Sequence, residues 1–590
     1  MCSIDGFTGR NHPFSLKQYA SFNSDRGPDG TNYWSDGEVH IAHSLLAISP
    51  NPTSLQQPIV DSKGNVFAWN GEIYGLPDGT FDTEWISNAI ADEGIHHLKY
   101  DVDGMWAFVH YNTKDQIITL GRDHFGVKPL YYMRVKGQLF WASTPKPLYA
   151  VLNAYGIGTR LFKKGMNIFE ENDRFLMAPT TPFEFIKVVG PGQILSFDMK
   201  KSAEMRRADS FWGTDATKFN LFANHRWDKE EFQEIMKTSI REVCTAKGVR
   251  KCLSLSGGLD STLIAGLNTH QDDFFTSSLR FEDRKAYWKS TNEKMFDESK
   301  IAYQTSRELG LEHHSVELSM DHNHLVQEAY YKLGAPMWDR ARVVPRYANI
   351  LNAKKHGAKI YITGDLADEL LTGYSGDYYY YTENERRGWL DRQRWAEWTK
   401  TNNKFSSMQG YFPSGLMKDD AINNRQFLRI MQHGQGFCTT TDHLCGSQGI
   451  ESRVPFLHQK LAKYLIKIPS GAKLRMPDDM KDPERDRMMG IYKWMIREEM
   501  SKWLPNSVEK RSTKAGFASP WNSRDKVMNV EIGKEDLKLV QSQANNFYKF
   551  DLDFQPNFRD NSIPFQYDME QERIIELEPR GAIDEVTFDE

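Results

Sequence analysis

Apolar and polar positions alternate along the first third of the chain, and the period then changes. In VHIAHSLLAI (39–48), NVFAWNGEIYG (65–75), MWAFVHYN (105–112), QIITLGRDHFG (116–126), LYYMRVKGQLFWAS (130–143) and GQILSFDM (192–199), β-branched and aromatic residues alternate with polar ones between clusters of Asn, Asp and Gly. This predicts short strands of a largely antiparallel sheet system, with helices such as TEWISNAIADEG (83–94) between them. The stretch 201–227 has no clear period and reads as a linker. From about residue 228 the order is helix, short apolar strand, helix: KEEFQEIMKTSIREVCTA, KCLSLSGG, LDSTLIAGL, and later KIYITGD with LADELL. Strands alternating with helices predict a parallel α/β sheet. Residues 375–440, rich in Tyr, Trp and Arg, read as helical; the acidic tail after about 525 is weakly periodic, and its end, EPRGAIDEVTFDE, reads as disordered.

At 590 residues the chain exceeds one hydrophobic core, so two or three domains are expected. A net charge of −5 gives no reason to expect a nucleic-acid or acidic-membrane partner. No run of about 18 apolar residues is present to span a membrane, and the N-terminus lacks the basic and apolar regions of a signal peptide. The five cysteines (Cys2, Cys244, Cys252, Cys438, Cys445) are odd in number and without CxxC spacing. Neither a disulfide framework nor a zinc or iron–sulfur site is expected, and the cytoplasm is the expected compartment.

Cys2 stands out by position. A lone cysteine is ordinarily a small buried apolar group. If Met1 is removed, however, Cys2 carries a thiol and a free α-amine on the same carbon. That amine titrates at about 8 and can serve as the thiol's general base.

Two segments are suited to phosphate. LSLSGGLDSTL (253–263) reads as a buried strand, a Ser-Gly-Gly turn and a helix start. Its glycines allow bare N–H groups to face an anion at the positive end of the helix. An ordinary strand-to-helix turn would use the same glycines, and on these residues alone the two readings are level. YITGDLADELLTGY (361–374) repeats the design with an acidic cluster, for which helix capping is the plainer reading.

Taken together the segments resemble the glutamine-dependent asparagine synthetase family, a class II glutamine amidotransferase fused to an N-type ATP pyrophosphatase. Cys2, RGPDG (26–30), AHSLLAI (42–48), NGEIYG (70–75), FDTEW (81–85) and GRDHFGVKPLYY (121–132) occur in that order. They are followed by SGGLDST, FDESKIAYQTSRELGLEHHSVEL (296–318), TGDLADELLTGY, GIESRVPFL (449–457), KWMIR (493–497) and RSTKAGFASP (511–520).

The resemblance implies an N-terminal-nucleophile antiparallel sandwich over 2–205, a parallel α/β pyrophosphatase-type domain over 206–525, and a partly disordered extension over 526–590. Cys2 would attack glutamine, with Asn70 and Gly71 as oxyanion hole. Asp82 would hold the substrate ammonium, and Arg26 and Glu72 would line the pocket. ATP would lie against Leu255, Ser256, Gly257, Gly258, Asp260, Ser261, Leu279, Thr363 and Gly364. Mg2+ would be held by Asp260 and Asp368, with Lys514 balancing charge at the α-phosphate. The expected substrates are glutamine, ATP and aspartate or another carboxylate, with neither nucleic acid nor membrane as partner; a homodimer is left open.

Three positions depart from the family. Leu45 stands where an arginine would meet the glutamine α-carboxylate. Asp365 replaces a glutamate near the acceptor and the incoming ammonia, which shortens a general base by one methylene. In APMWDRARVVP (335–345), Ala341 takes the place of an acceptor-binding arginine, between Arg340 and Arg342. The leading expectation is asparagine synthesis. The alternatives are the same machinery acting on another carboxylate, or a silent binding protein, against which Cys2, Asn70, Asp260, Asp368 and Lys514 all speak.

Overall fold

The computed structural model describes residues 1–48, 56–77, 80–95, 102–159, 178–211, 227–281, 298–318, 323–335, 340–373, 421–473, 493–509, 566–568 and 573–575. The N-terminal half contains β1 (Ser3–Thr8), β2 (Gly30–Ser35), β3 (Val39–Leu45), β4 (Ile59–Val60), β5 (Val66–Ile73) and β6 (Gly104–Asn112). These are followed by β7 (Ile117–Arg122), β8 (Tyr131–Val135), β9 (Gln138–Ala142), β10 (Lys187–Val188), β11 (Gln193–Asp198) and β12 (Glu204–Ser210). They form two six-stranded sheets, ordered β10-β8-β9-β1-β3-β2 and β12-β11-β7-β6-β5-β4. Every pairing described within these two sheets is antiparallel.

Alternation buries one side chain in two between the sheets. Ile4, Ile41, Val66, Ala68, Ala107, Val109, Leu120 and Trp141 form a common core. β8 and β9 are joined through Lys136 and Gly137, both at positive φ, the primed-turn geometry that suits twisted hairpins.

The stretch expected to be a linker is in part β12, paired to β11 with a register shift at Ser196/Phe197. Its sequence EMRRADS is almost wholly exposed. Backbone hydrogen bonds at a sheet edge make the strand without an apolar face, so no period marks it.

The second half has a five-stranded parallel sheet built from β13 (Lys251–Ser254), β14 (Phe274–Phe281), β15 (His313–Leu318), β16 (Ile360–Ile362) and β17 (Glu451–Arg453), in the order β15-β14-β13-β16-β17. The chain runs outward one way from β13 to β15 and the other way through β16 and β17. The switch point therefore lies between β13 and β16, where open α/β sheets bind ligands beyond their strand ends.

Helices Lys229–Cys244 and Leu259–Leu267 pack on this sheet through Phe232, Met236, Ile240, Leu263 and Ile264. Two apolar clusters run across both halves: one joins Met105, Phe125 and Val127 to the parallel sheet, the other joins Met133, Leu148 and Tyr149 to Tyr347 and Tyr361. Within 375–440, residues 421 onward belong to helix Ala421–Gly446, and the rest lies outside the described residues. Of the tail, Gln566–Asp568 and Arg573–Ile575 form an antiparallel pair; the segment EPRGAIDEVTFDE lies outside the described residues.

Candidate active site

Cys2 sits at the head of β1, a strand buried along its whole length between β9 and β3. It is half-buried. Arg26 Nε donates to its carbonyl at 3.2 Å. Burial pushes the thiol up, while the chain's terminal amine and a hydrogen bond from the Leu46 backbone pull the other way. Met1 is buried beside it, its sulfur accepting from Arg26 Nη2 at 3.4 Å, and burial lowers the Met1 amine to about 5.

Strands β1 and β3 cross over β5, and His43 Nε2 meets the Trp69 carbonyl at 3.1 Å. The next residue is Asn70. It is 1% exposed, and its side-chain oxygen and nitrogen have no hydrogen-bond partner. An amide left empty in this way costs about 1–3 kcal/mol unless water or a ligand fills it. Gly71 has no room for a side chain, since a Cβ would lie 2.4 Å from the Met105 carbonyl.

Glu72 lies 3.2 Å from Arg453 Nη2. Asp82 opens helix Asp82–Glu93 and accepts from the Thr83 backbone at 2.6 Å. Burial raises Asp82 to about 6 against those hydrogen bonds. Arg26 is buried in the turn Ser24–Arg26, 2.8 Å from Asp442. Leu45 ends β3, half-buried opposite Gly30.

The SGGLDS loop follows β13. Leu255 is buried, Gly257 adopts φ +77°, and a Cβ there would lie 2.6 Å from Ile301 Cγ2. The Gly258 N–H donates to Ser256 Oγ at 3.2 Å, and Ser256 Oγ is 3.2 Å from Ser261 Oγ. Leu279 is half-buried on the adjacent β14.

The second loop follows β16: Thr363, Gly364, Asp365, Leu366, then the short helix Ala367–Leu370. Leu366 is left-handed at φ +69°, a conformation costing a non-glycine residue about 1–3 kcal/mol. Gly364 brings this loop onto the first: a Cβ on it would stand 3.3 Å from Asp260 Cβ. Register explains the meeting, since Leu253 of β13 pairs with Ile362 of β16.

Asp260 and Asp368 converge on one cation, the Lys493 ammonium, which is bonded to Asp260 and lies 2.6 Å from Asp368 Oδ1. Burial opposes that charge, but the two carboxylates raise the lysine above its ordinary range. Two hard oxygen donors aimed at one positive centre also fit Mg2+, which takes few protein carboxylates and completes its shell with water and phosphate. Among the described residues no group of three or more His, Cys, Asp or Glu side chains could hold a metal.

Asp365 is gripped by Arg346 through contacts of 2.6 and 3.0 Å and accepts from Thr363 Oγ1 at 2.9 Å. Arg340 begins helix Arg340–Lys355, which also carries Ala341, Arg342, Pro345 and Arg346. Lys514 lies outside the described residues.

Sequence reasoning assigned no role to Lys493, Arg346, Glu451 or Arg453. Lys493, Glu451 and Arg453 lie in the quoted segments KWMIR and GIESRVPFL, and Arg346 directly follows Pro345.

A sandwich with a thiol at the head of a central strand and a parallel sheet with a glycine loop at its switch point, carried in one chain, define a two-module amidotransferase. A Glutamine amidotransferase domain model matches residues 1–212 and an Asparagine synthase model matches residues 231–538, so the chain belongs to the asparagine synthase family and is a glutamine-dependent amidotransferase. It is 23% identical over 577 residues to asparagine synthetase B [glutamine-hydrolyzing] of Escherichia coli, covering 92% of this chain and 87% of that protein. It is also 23% identical over 521 residues to asparagine synthetase [glutamine-hydrolyzing] 2 of Bacillus subtilis, covering 80% and 67%. The amidase chry2 of Gibberella zeae is 27% identical over 376 residues, covering 59% and 54%. ATP is a co-substrate of enzymes in this family. Among the described residues no helix is long and apolar enough to cross a membrane.

Proposed function

We propose that the protein is a glutamine-hydrolysing asparagine synthetase working from a mature N-terminus at Cys2. The observation that carries the reading is the convergence of Asp260 and Asp368 on one cation beside the glycine loop. Removal of Met1 takes its sulfur away from Arg26 Nη2 and puts the free amine on Cys2. The thiolate then attacks the glutamine amide carbon, with Asn70 and Gly71 donating to the developing oxyanion and Asp82 holding the ammonium. Ammonia leaves, and water hydrolyses the thioester to glutamate.

In the second module a carboxylate oxygen of the acceptor attacks the α-phosphorus of ATP and pyrophosphate departs. Ammonia then attacks the acyl carbon and AMP leaves. Ser256, Gly257, Gly258 and Ser261 cradle the departing phosphates. Leu255, Leu279, Thr363 and Gly364 flank the nucleotide, and Lys514 supplies positive charge. Mg2+ bound by Asp260 and Asp368 would neutralise phosphate charge. Asp365 acts at the acceptor end as the partner of Arg346. The module bounds proposed are 2–205 and 206–525, followed by the extension 526–590, in the reducing cytoplasm that suits five free cysteines.

A second reading keeps this machinery with a carboxylate other than aspartate. The Arg346–Asp365 pair favours it, because an arginine is placed beside the loop carboxylate in a helix that lacks one at Ala341.

The test is pyrophosphate release from ATP with a panel of carboxylates, using glutamine or ammonia as nitrogen source. Aspartate with either source should give stoichiometric pyrophosphate and asparagine. Cys2→Ala should abolish only the glutamine-dependent reaction. Active enzyme that retains Met1 by intact mass would defeat the nucleophile mechanism.

A further inference from the structure

Arg453 lies between the two candidate sites. Its backbone carbonyl accepts the Thr363 N–H at 3.1 Å, at the start of the turn that carries Asp365 and Asp368. Its guanidinium reaches 3.2 Å to Glu72, the neighbour of Gly71. Between these ends it is held by Glu451 at 2.9 Å and by the backbone carbonyls of Val243 and Thr245 at 2.9 and 3.0 Å.

From Glu451 the charges continue to alternate in sign. Lys128 Nζ is 3.4 Å from Glu451 and 3.9 Å from Asp442, and Asp442 is 2.8 Å from Arg26, which donates to the Cys2 carbonyl. The series leaves the glutaminase module at Glu72 for β17, crosses back to it at Lys128, passes to Asp442 on helix Ala421–Gly446, and returns through Arg26 to Cys2. Arg453, Glu451, Lys128, Asp442 and Arg26 have side chains at most 4% exposed. On the same helix, Thr441 accepts from Arg346, the partner of Asp365.

Stability does not account for such a series. Desolvation offsets most of the attraction between buried charges, and apolar replacements often do as well. The Arg26–Asp442 pair is close without being aligned for a hydrogen bond. We propose that Arg453 is a positioning residue that couples glutamine hydrolysis to occupancy of the nucleotide site. A shift of Thr363 on ligand binding moves the Arg453 main chain, and its guanidinium passes the shift to Glu72 and, through the ion series, to Arg26 and Cys2. The proposal rests on the two-site reading above.

The test is glutamate release by the full chain with and without α,β-methylene ATP and magnesium. The analogue should change wild-type kcat/KM for glutamine by at least about fivefold, the ordinary scale of coupling between sites. In Arg453→Met the ratio of kcat/KM with the analogue to that without it should fall to about one, and Arg453→Lys should restore part of that ratio. Where Arg453→Met does not accumulate folded, Glu451→Gln, which removes one charge at constant shape, should weaken the response instead. A response that persists in these variants, or is missing from wild type that hydrolyses glutamine, overturns the coupling. Wild type that releases no glutamate from glutamine and no pyrophosphate with ammonia overturns the functional reading beneath it.

Discussion

Arg346 holds Asp365 in a two-pronged contact, Nη1 to Oδ2 at 2.6 Å and Nη2 to Oδ1 at 3.0 Å. With Thr363 Oγ1 also donating, the carboxylate accepts three hydrogen bonds from protein groups. Asp365→Asn should therefore raise the acceptor KM while lowering ammonia-dependent kcat less than about tenfold, where loss of a general base would lower it about 10²–10⁴-fold. Steady-state pyrophosphate release decides between them. Arg346→Met strands the carboxylate, and urea unfolding should show a loss of about 3 kcal/mol.

Asp260→Asn and Asp368→Asn should each stop pyrophosphate release while leaving a folded protein, because both carboxylates face a cation rather than pack in the core. Near-wild-type turnover in either would make them helix-opening acids. Lys493→Met removes the cation that both carboxylates bond. Magnesium should then raise Tm more in this variant than in wild type, which thermal unfolding with and without the metal would show.

Burial raises Asp82 to about 6, so its carboxyl is protonated below that pH and charged above it. In the role proposed for Asp82, only the charged form would pair with the glutamine ammonium. As pH falls through about 6, kcat/KM for glutamate release should drop, approaching tenfold per unit. The sign for stability is opposite: an acid whose folded pKa is raised favours folding at low pH and loses that contribution as pH rises through 6. In Asp82→Asn the glutaminase should be slower throughout and lack this limb.

Leu45→Arg should lower the glutamine KM with less change in kcat, the signature of restored uniform binding. Arg26 is the cation that would otherwise serve the α-carboxylate, but it is already engaged by Asp442 and the Cys2 carbonyl. A wild-type KM that is tight and worsens on substitution would show that Leu45 only packs.

Local geometry that depends on immediate neighbours was legible. Cys2, Asn70-Gly71, the SGGLDS loop and the acidic TGDLADEL turn each lie in one contiguous segment, and a strand end with a glycine turn largely dictates what such a segment presents. β12 escaped notice because an exposed edge strand needs no apolar period. Lys493 escaped because nothing near it in the chain says that it will stand between Asp260 and Asp368.

The sequence by itself determined the two classes of module, because period-two and helical patterns each bury one face and so select an antiparallel sandwich and an α/β sheet. Tertiary structure decided which charges meet. The order β13-β16-β17 sets Thr363 beside Arg453 and brings the second loop against the first. Packing against the sandwich then removes water from Arg453, Glu451, Lys128, Asp442 and Arg26. An ion pair between distant segments has no local signature, because its strength comes from that exclusion of water, and the exclusion exists only once both halves have folded together.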